Sequence, residues 1–305
     1  MSDRVLATAL GALSILIWAS TIAVSRELTE QLGTLPAAAA IYVTGGVLAC
    51  GHLLVSPSRR SGLASLRSAY WAGCGSLFVL YTVTFYLAIG LARGRQQVVE
   101  VGLVNYLWPS LTQVLSVPIL GARPRWSLWP GIAISMAGVV LATFQGGSPG
   151  LAAVLENLRS NGLAHLLALV AAVSWGLYNT LSRRLAGEAK GNAVPVFILA
   201  SGVVLVGLCA WQGAAPRWKP QLVRELVYMA VFPTFLAYDF WDTAMRRGHL
   251  VLVASLSYLT PLLSTIISCL YLEVPLGTAL WGACALVIAG AALCSRSVEV
   301  RPGGS

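Results

Sequence analysis

Three tryptophans stand where tryptophan is unusual. Trp18, Trp108 and Trp175 lie deep inside long apolar runs, whereas tryptophan gathers where such runs meet water. A buried indole needs an acceptor for its N–H, so each marks a place where ring surface and a polar partner meet. Tyr81, Phe85, Tyr86 and Tyr238 bring further rings to similar depth, and Tyr106 and Tyr258 each open a Tyr-Leu-x-Pro motif. The prolines of those motifs, Pro109 and Pro261, sit at the centres of their runs. A mid-helix proline lacks an N–H and frees the carbonyl four residues earlier; those carbonyls belong to Asn105 and Ser257. Aromatic faces with scattered amide, hydroxyl and carbonyl groups suit binding, not covalent chemistry. Their natural guest is a small, net-neutral, largely apolar solute such as a zwitterionic amino acid, its ammonium against ring faces or carbonyls. No Lys or Arg lies deep in any run, which argues against phosphorylated or strongly anionic solutes. The blander alternative is that the rings fill a bundle and the prolines only shape helix packing.

Other chemistry is hard to find. Asp239 is the candidate for a coupling proton, set against a role in an ion pair at a helix end, the favoured reading. Asp242 stands four residues before Arg246, spacing suited to a surface i,i+4 pair. Glu100, Glu273, His52 and His165 fall near run ends and His249 in a loop. No catalytic dyad, zinc set or phosphate loop emerges, so neither an enzyme nor a cofactor is expected. The six cysteines all fall in apolar runs without a C-x-x-C pair and read as packing residues.

The elements that must position these residues follow from composition. Of the chain, 57% is hydrophobic and 10% charged, and the mean hydropathy is +0.77. Too little charge remains to wet a soluble surface. The apolar residues come in ten runs, at 5–24, 35–55, 69–91, 98–120, 126–144, 163–181, 193–211, 222–241, 250–272 and 276–294. Each approaches the ~20 residues a helix needs to cross a bilayer. Continuous runs imply helices, because lipid offers nothing to unpaired backbone groups, and they are twice the length of barrel strands. The first run reads as a span and not a cleaved signal. The expected fold is an all-α membrane protein of ten transmembrane helices.

The net charge of +9 sorts by side. Alternating the loops puts thirteen Lys and Arg on the face of the N-terminus and seven on the other. The excess places both termini in the cytoplasm; the basic balance orients the chain and is no nucleic-acid footprint. Seven tryptophans, Trp71, Trp126, Trp129, Trp211, Trp218, Trp241 and Trp281, are expected at the interfaces.

The two halves repeat. At an offset of 157, Trp18 falls on Trp175 and Ser25-Arg26 on Ser182-Arg183. At 152, Tyr86 falls on Tyr238, Tyr106-Leu107-x-Pro109 on Tyr258-Leu259-x-Pro261, and Trp129 and Gly138 on Trp281 and Gly290. Five spans per half is an odd number, so the halves, 1–150 and 151–305, insert with opposite orientation. Inverted repeats of this kind belong to transporters with a midplane site between the halves.

This pattern resembles the drug/metabolite transporter superfamily in its ten-span EamA form. The residues that carry the resemblance are Pro109 and Pro261, Gly138 and Gly290, and Glu273 after the ninth span; the first half has Gly121-Ala122 where that acid would recur. Asn105-Tyr106-Leu107-Trp108-Pro109, with Trp18 and Trp175, further resembles the aromatic amino acid exporters of that superfamily. The resemblance implies a bacterial inner-membrane facilitator for aromatic and related neutral solutes, working as a monomer, with Trp18, Tyr106, Trp108 and Trp175 lining its cavity. The partners expected are a small-molecule substrate and the lipid bilayer, with no nucleic acid. Rival readings are a carrier of drugs or sugar-like metabolites, an intramembrane enzyme, for which the deep acids and histidines are missing, and a non-transporting scaffold or receptor.

Overall fold

The computed structural model describes residues 2–92, 101–102, 104–143, 161–186, 189, 191–214, 216, 218–271 and 278–299. Helix α1 (Asp3–Ala19) starts at Ser2, whose side chain accepts the Val5 N–H, and is interrupted at Ser20 before α2 (Thr21–Leu32). Gly33 then turns the chain at φ 85°, a conformation that a side chain would strain. Helix α3 (Thr34–Val55) ends at Ser56, ahead of the short α4 (Pro57–Leu63). A π-helical stretch, Tyr70–Cys74, leads into α5 (Gly75–Leu91).

The fourth apolar run is broken. Residues 104–105 are helical, Tyr106 and Leu107 form a turn, and α6 (Trp108–Leu120) begins with Pro109 in its first turn. There a missing N–H does no harm. The ninth run breaks in the same way: α12 (Leu250–Leu256) passes into a 3-10 turn, Ser257–Leu259, before α13 (Thr260–Tyr271). Between these lie α7 (Leu128–Thr143), α8 (Gly162–Leu185), α9 (Val194–Trp211), α10 (Leu222–Met229) and α11 (Ala237–Arg247), and α14 (Thr278–Ser297) closes the fold. A second π-helical stretch, Ala230–Leu236, joins α10 to α11 around Pro233.

Four stretches among the described residues are long and apolar enough to cross a membrane by themselves: Thr34–Val55, Tyr70–Leu91, Gly162–Leu185 and Val194–Trp211. Val47, Leu48, Leu54, Val203, Val206, Leu163 and Leu166 stand exposed on them, surface that water would not tolerate over such an extent and lipid does. The chain is a multi-pass α-helical membrane protein. Among the described residues the one strand pairing is a two-residue antiparallel ladder, Arg123–Pro124 against Val298–Glu299.

The most extensive helix contacts join α7 to α14, α3 to α9, α5 to α8 and α1 to α11. Glycine permits the closest of them. A Cβ on Gly46 would lie 2.6 Å from the Leu199 backbone, and one on Gly202 2.7 Å from Val43 N. Gly131 and Gly290 bring α7 and α14 together in the same way, the small-residue packing that membrane helices use in place of a hydrophobic driving force.

Candidate functional site

Trp175 sits at the centre of a ring cluster. It stacks on Tyr81 at 4.6 Å and on Tyr178 at 4.9 Å between centroids. Its edges meet Trp18 and Trp108, both at 6.4 Å, and Phe78 and Tyr238, both at 5.7 Å. Trp18 also touches Tyr238 and Trp241, and Phe85 continues the line from Tyr81 to Tyr86. Elements from both halves of the chain therefore meet through aromatic faces, mostly in the edge-on geometry that ring quadrupoles favour.

Local structure holds several rings in place. The π-helical widening at Ala230–Leu236 contains the Pro233 carbonyl that accepts the Trp18 indole N–H at 2.9 Å. One helical turn further, the Ala237 carbonyl accepts Ser14 Oγ at 2.9 Å, so α1 is stitched twice to this stretch. Tyr42 and Tyr238 share a 2.6 Å hydroxyl contact, and Tyr86 packs edge-on against Tyr42.

Beyond the cluster, towards the Arg184 end of α8 and the Arg247 end of α11, the interior is closed by a polar network. Asp242 accepts from Tyr178 and Ser182, both at 3.1 Å, and pairs with Arg246 at 3.0 Å. Arg246 in turn donates to the Gly191 carbonyl at 2.8 Å and to that of Ala189. Trp241 Nε1 donates to Asn179 Oδ1 at 2.9 Å, Asn179 Nδ2 donates to Thr112, and Gln113 donates to Ser255. Tyr178, Trp241, Asp242 and Arg246 are all buried, whereas Trp18, Tyr81, Phe85, Tyr86 and Tyr106 are only half-buried. The bundle is thus tightly shut on one side of the rings and looser on the other.

Of the residues singled out from the sequence, Trp18, Tyr81, Phe85, Tyr86, Trp108, Trp175 and Tyr238 come together. Asn105 lies beside them, buried and near the Tyr81 hydroxyl, with its Oδ1 unpaired. Tyr106 and Tyr258 instead pack with Val287 and Met136, where Tyr258 bonds Ser110.

Several expectations need correcting. Ser257 offers no free carbonyl: the 3-10 turn gives it the Thr260 N–H, and its hydroxyl bonds the Ala254 carbonyl. Pro109 and Pro261 do not bend continuous helices; each follows a break. Trp241, expected in the interfacial belt, is wholly buried in the cluster, and the Asp242–Arg246 pair, expected at the surface, is in the interior. Both lie on the face of α11 that carries Tyr238, three to four residues along, a spacing that could have revealed them. Tyr178 and Asn179 follow Trp175 at the same intervals and were overlooked for the same reason. Asp239 accepts from Asn192 Nδ2 at 2.7 Å while Asn192 Oδ1 takes the Val194 N–H at the start of α9. Glu100 and Glu273 lie outside the described residues. Trp126, Trp129, Trp211 and Trp218 are exposed, as expected of an interfacial belt.

A cavity of about 400 Å³ lies between α3, α9 and α10 and is lined mainly by apolar groups, among them Ala39, Val43, Val206 and Trp218. It lacks the polar partners of the ring cluster, which remains the candidate site. No group of three or more His, Cys, Asp or Glu able to hold a metal occurs among the described residues.

A helical membrane bundle centred on a ring cluster is the form of a small-solute carrier, and comparison with known proteins agrees. The chain matches the EamA-like transporter family over residues 5–144 and 162–296, and it belongs to that family of membrane transporters. Its relatives include proteins named aromatic amino acid exporter YddG. That of Salmonella typhimurium is 31% identical over 303 residues, covering 97% of this chain and 98% of its own. That of Ancylobacter novellus is 32% identical over 296 residues, covering 95% and 97%. A crystal structure 28% identical in sequence superposes with a TM-score of 0.77, over 95% of this chain and 97% of that one.

Proposed function

We propose that this protein moves aromatic and other neutral amino acids, or close metabolites, across a bacterial inner membrane by alternating access. In this reading ten spans form two inverted five-span repeats, 1–150 and 151–305, with both termini in the cytoplasm. The helix pairings support it. Equating each span with the one five later exchanges the α5–α8 contact with the α1–α11 contact and maps α3–α9 and α7–α14 onto themselves. The two separate stretches matched to the family support the same division, as do relatives that are named as exporters of aromatic amino acids.

The observation that carries the substrate class is the ring cluster around Trp175, built from both halves of the chain. Solute enters from the looser side, at Tyr81, Phe85 and Tyr86, while the Asp242–Arg246 network closes the cytoplasmic side. Transport then requires that network to part as the opposite side closes. Asp242 is neutralised by Arg246 and Asp239 is held by Asn192, so the reading is of facilitated movement down a gradient, without an obligatory proton.

Uptake of labelled tryptophan into protein-loaded liposomes, without any ion gradient, tests the function. Excess phenylalanine is expected to compete, and a sugar or a cationic dye is not. Competition by the dye or sugar instead would favour a general drug or metabolite carrier. Maleimide labelling of cysteines placed at the two termini and in successive loops tests the topology; termini on opposite sides would overturn the inverted repeat.

A further inference from the structure

The ring cluster leaves a complementary set of polar groups unsatisfied. Asn105 is 7% exposed, and its Oδ1 has no hydrogen-bond partner. A buried acceptor left in that state is costly until a donor meets it. Donors are spare as well. Trp18 and Trp241 have acceptors for their indole N–H groups, but among the described residues no hydrogen bond engages Nε1 of Trp108 or Trp175. These groups adjoin one another: Asn105 neighbours Tyr81, Tyr81 stacks on Trp175 at 4.6 Å, and Trp175 meets the edge of Trp108.

An ammonium has only hydrogens to donate and a carboxylate only lone pairs to accept with. A zwitterionic head is therefore the ligand chemistry that satisfies both sets without bringing net charge into the site. We infer that Asn105 is a specificity-determining residue, its Oδ1 accepting the α-ammonium of an amino acid whose carboxylate takes the free indole N–H groups of Trp108 and Trp175. This inference rests on the proposed transport of neutral amino acids. It adds that the carrier reads the head group as well as the ring: a solute lacking the ammonium leaves Asn105 Oδ1 unpaired and is rejected. A neutral amide suits this task better than a carboxylate, which would hold a bare cation as tightly as an amino acid and would not release it readily.

Calorimetric binding to protein in lipid nanodiscs tests the idea with three probes: phenylalanine, its deaminated analogue 3-phenylpropionate, and its decarboxylated analogue phenethylamine. Wild-type protein is expected to prefer phenylalanine to 3-phenylpropionate by about tenfold or more, the worth of one charge-assisted hydrogen bond. Asn105→Leu should bring that ratio close to one, chiefly by weakening phenylalanine. Asn105→Asp should raise phenethylamine relative to phenylalanine, and serves as the second variant should Asn105→Leu fail to fold. An unchanged ratio in Asn105→Leu, or equal weakening of all three probes, overturns the assignment while leaving the transport reading standing. A wild type that binds none of the three overturns both.

Discussion

Asp242 and Arg246 form a 3.0 Å ion pair one helical turn apart, with side chains 1% and 3% exposed. Two ions taken out of water are tolerated when most of their remaining valences are met, here by Tyr178, Ser182 and the carbonyls of Ala189 and Gly191, with only Arg246 Nε left without a partner. The pair ties the end of α11 to α8 and to the segment before α9, which makes it the closing device of its side of the bundle.

Removing one partner of the pair should be far more damaging than removing both. Arg246→Met leaves a buried carboxylate uncompensated, a loss of about 3–5 kcal/mol that should lower the melting temperature in detergent by roughly 10 °C. Asp242→Leu combined with Arg246→Met should regain a large part of that loss. A double variant as unstable as the sum of its singles would show that the two charges do not act on each other.

The glycines at the α3–α9 contact make a sharper test of packing. Gly46→Ala and Gly202→Ala place a methyl within 2.6–2.7 Å of backbone on the facing helix, where no side chain can swing aside. Each should cost about 1–3 kcal/mol through forced separation of the helices. Gly51→Ala and Gly207→Ala, on the same two helices but facing open space, should be neutral or slightly stabilising. Equal thermal stability for both pairs would contradict the close approach.

Much of this arrangement could be read from the sequence, and the failures share a cause. Ten apolar runs announce helices because length and continuity alone decide that in lipid. The deep placement of Trp18, Trp108 and Trp175 could be read because those residues lie far from any run end. Trp241 and Asp242 lie near one, where position along the run suggests exposure, yet both are buried. In α11 the charged residues Asp239, Asp242 and Arg246 face inward, so polarity there marks the interior and not the boundary. Pro109 and Pro261 suggest kinks in continuous helices, whereas the structure breaks each helix just before the proline. Sequence shows which N–H is missing; it does not show that the chain turns at Tyr106-Leu107, or that a 3-10 turn at Ser257 re-pairs its carbonyl. Packing partners such as Phe78 on Trp175 depend on rotation about each helix axis, which a run of apolar residues on all faces leaves undetermined.

Two tryptophans of opposite surroundings separate binding from folding. Trp108 is buried between Trp175 and Trp241, whereas Trp126 is 83% exposed. Trp108→Phe keeps an apolar ring and removes the indole N–H, so it should fold and yet reduce amino acid uptake by about tenfold. Trp126→Phe should transport at the wild-type rate. Should Trp108→Phe transport normally with unchanged affinity, the ring cluster would be packing alone.

His249 gives the protein a pH dependence outside the membrane core. It caps α12, its Nδ1 accepting the Leu252 N–H at 3.2 Å while its own N–H donates to Thr8. Burial, and then the nearby Arg4 and Arg183 guanidinium groups, hold its pKa below the usual histidine value of 6.5, although its backbone hydrogen bond pulls the other way. The folded protein therefore prefers the neutral ring. This contribution is fully present above the unfolded pKa and is lost as pH falls through the folded one, since protonation fills Nδ1, breaks the cap and adds positive charge beside two arginines. Melting temperature in detergent should accordingly fall as pH drops from 7 to 5. His249→Asn caps the helix without titrating there, and should flatten this slope while leaving stability at pH 7.5 within about 1 kcal/mol. If both proteins lose stability in parallel on acidification, the titrating group lies elsewhere.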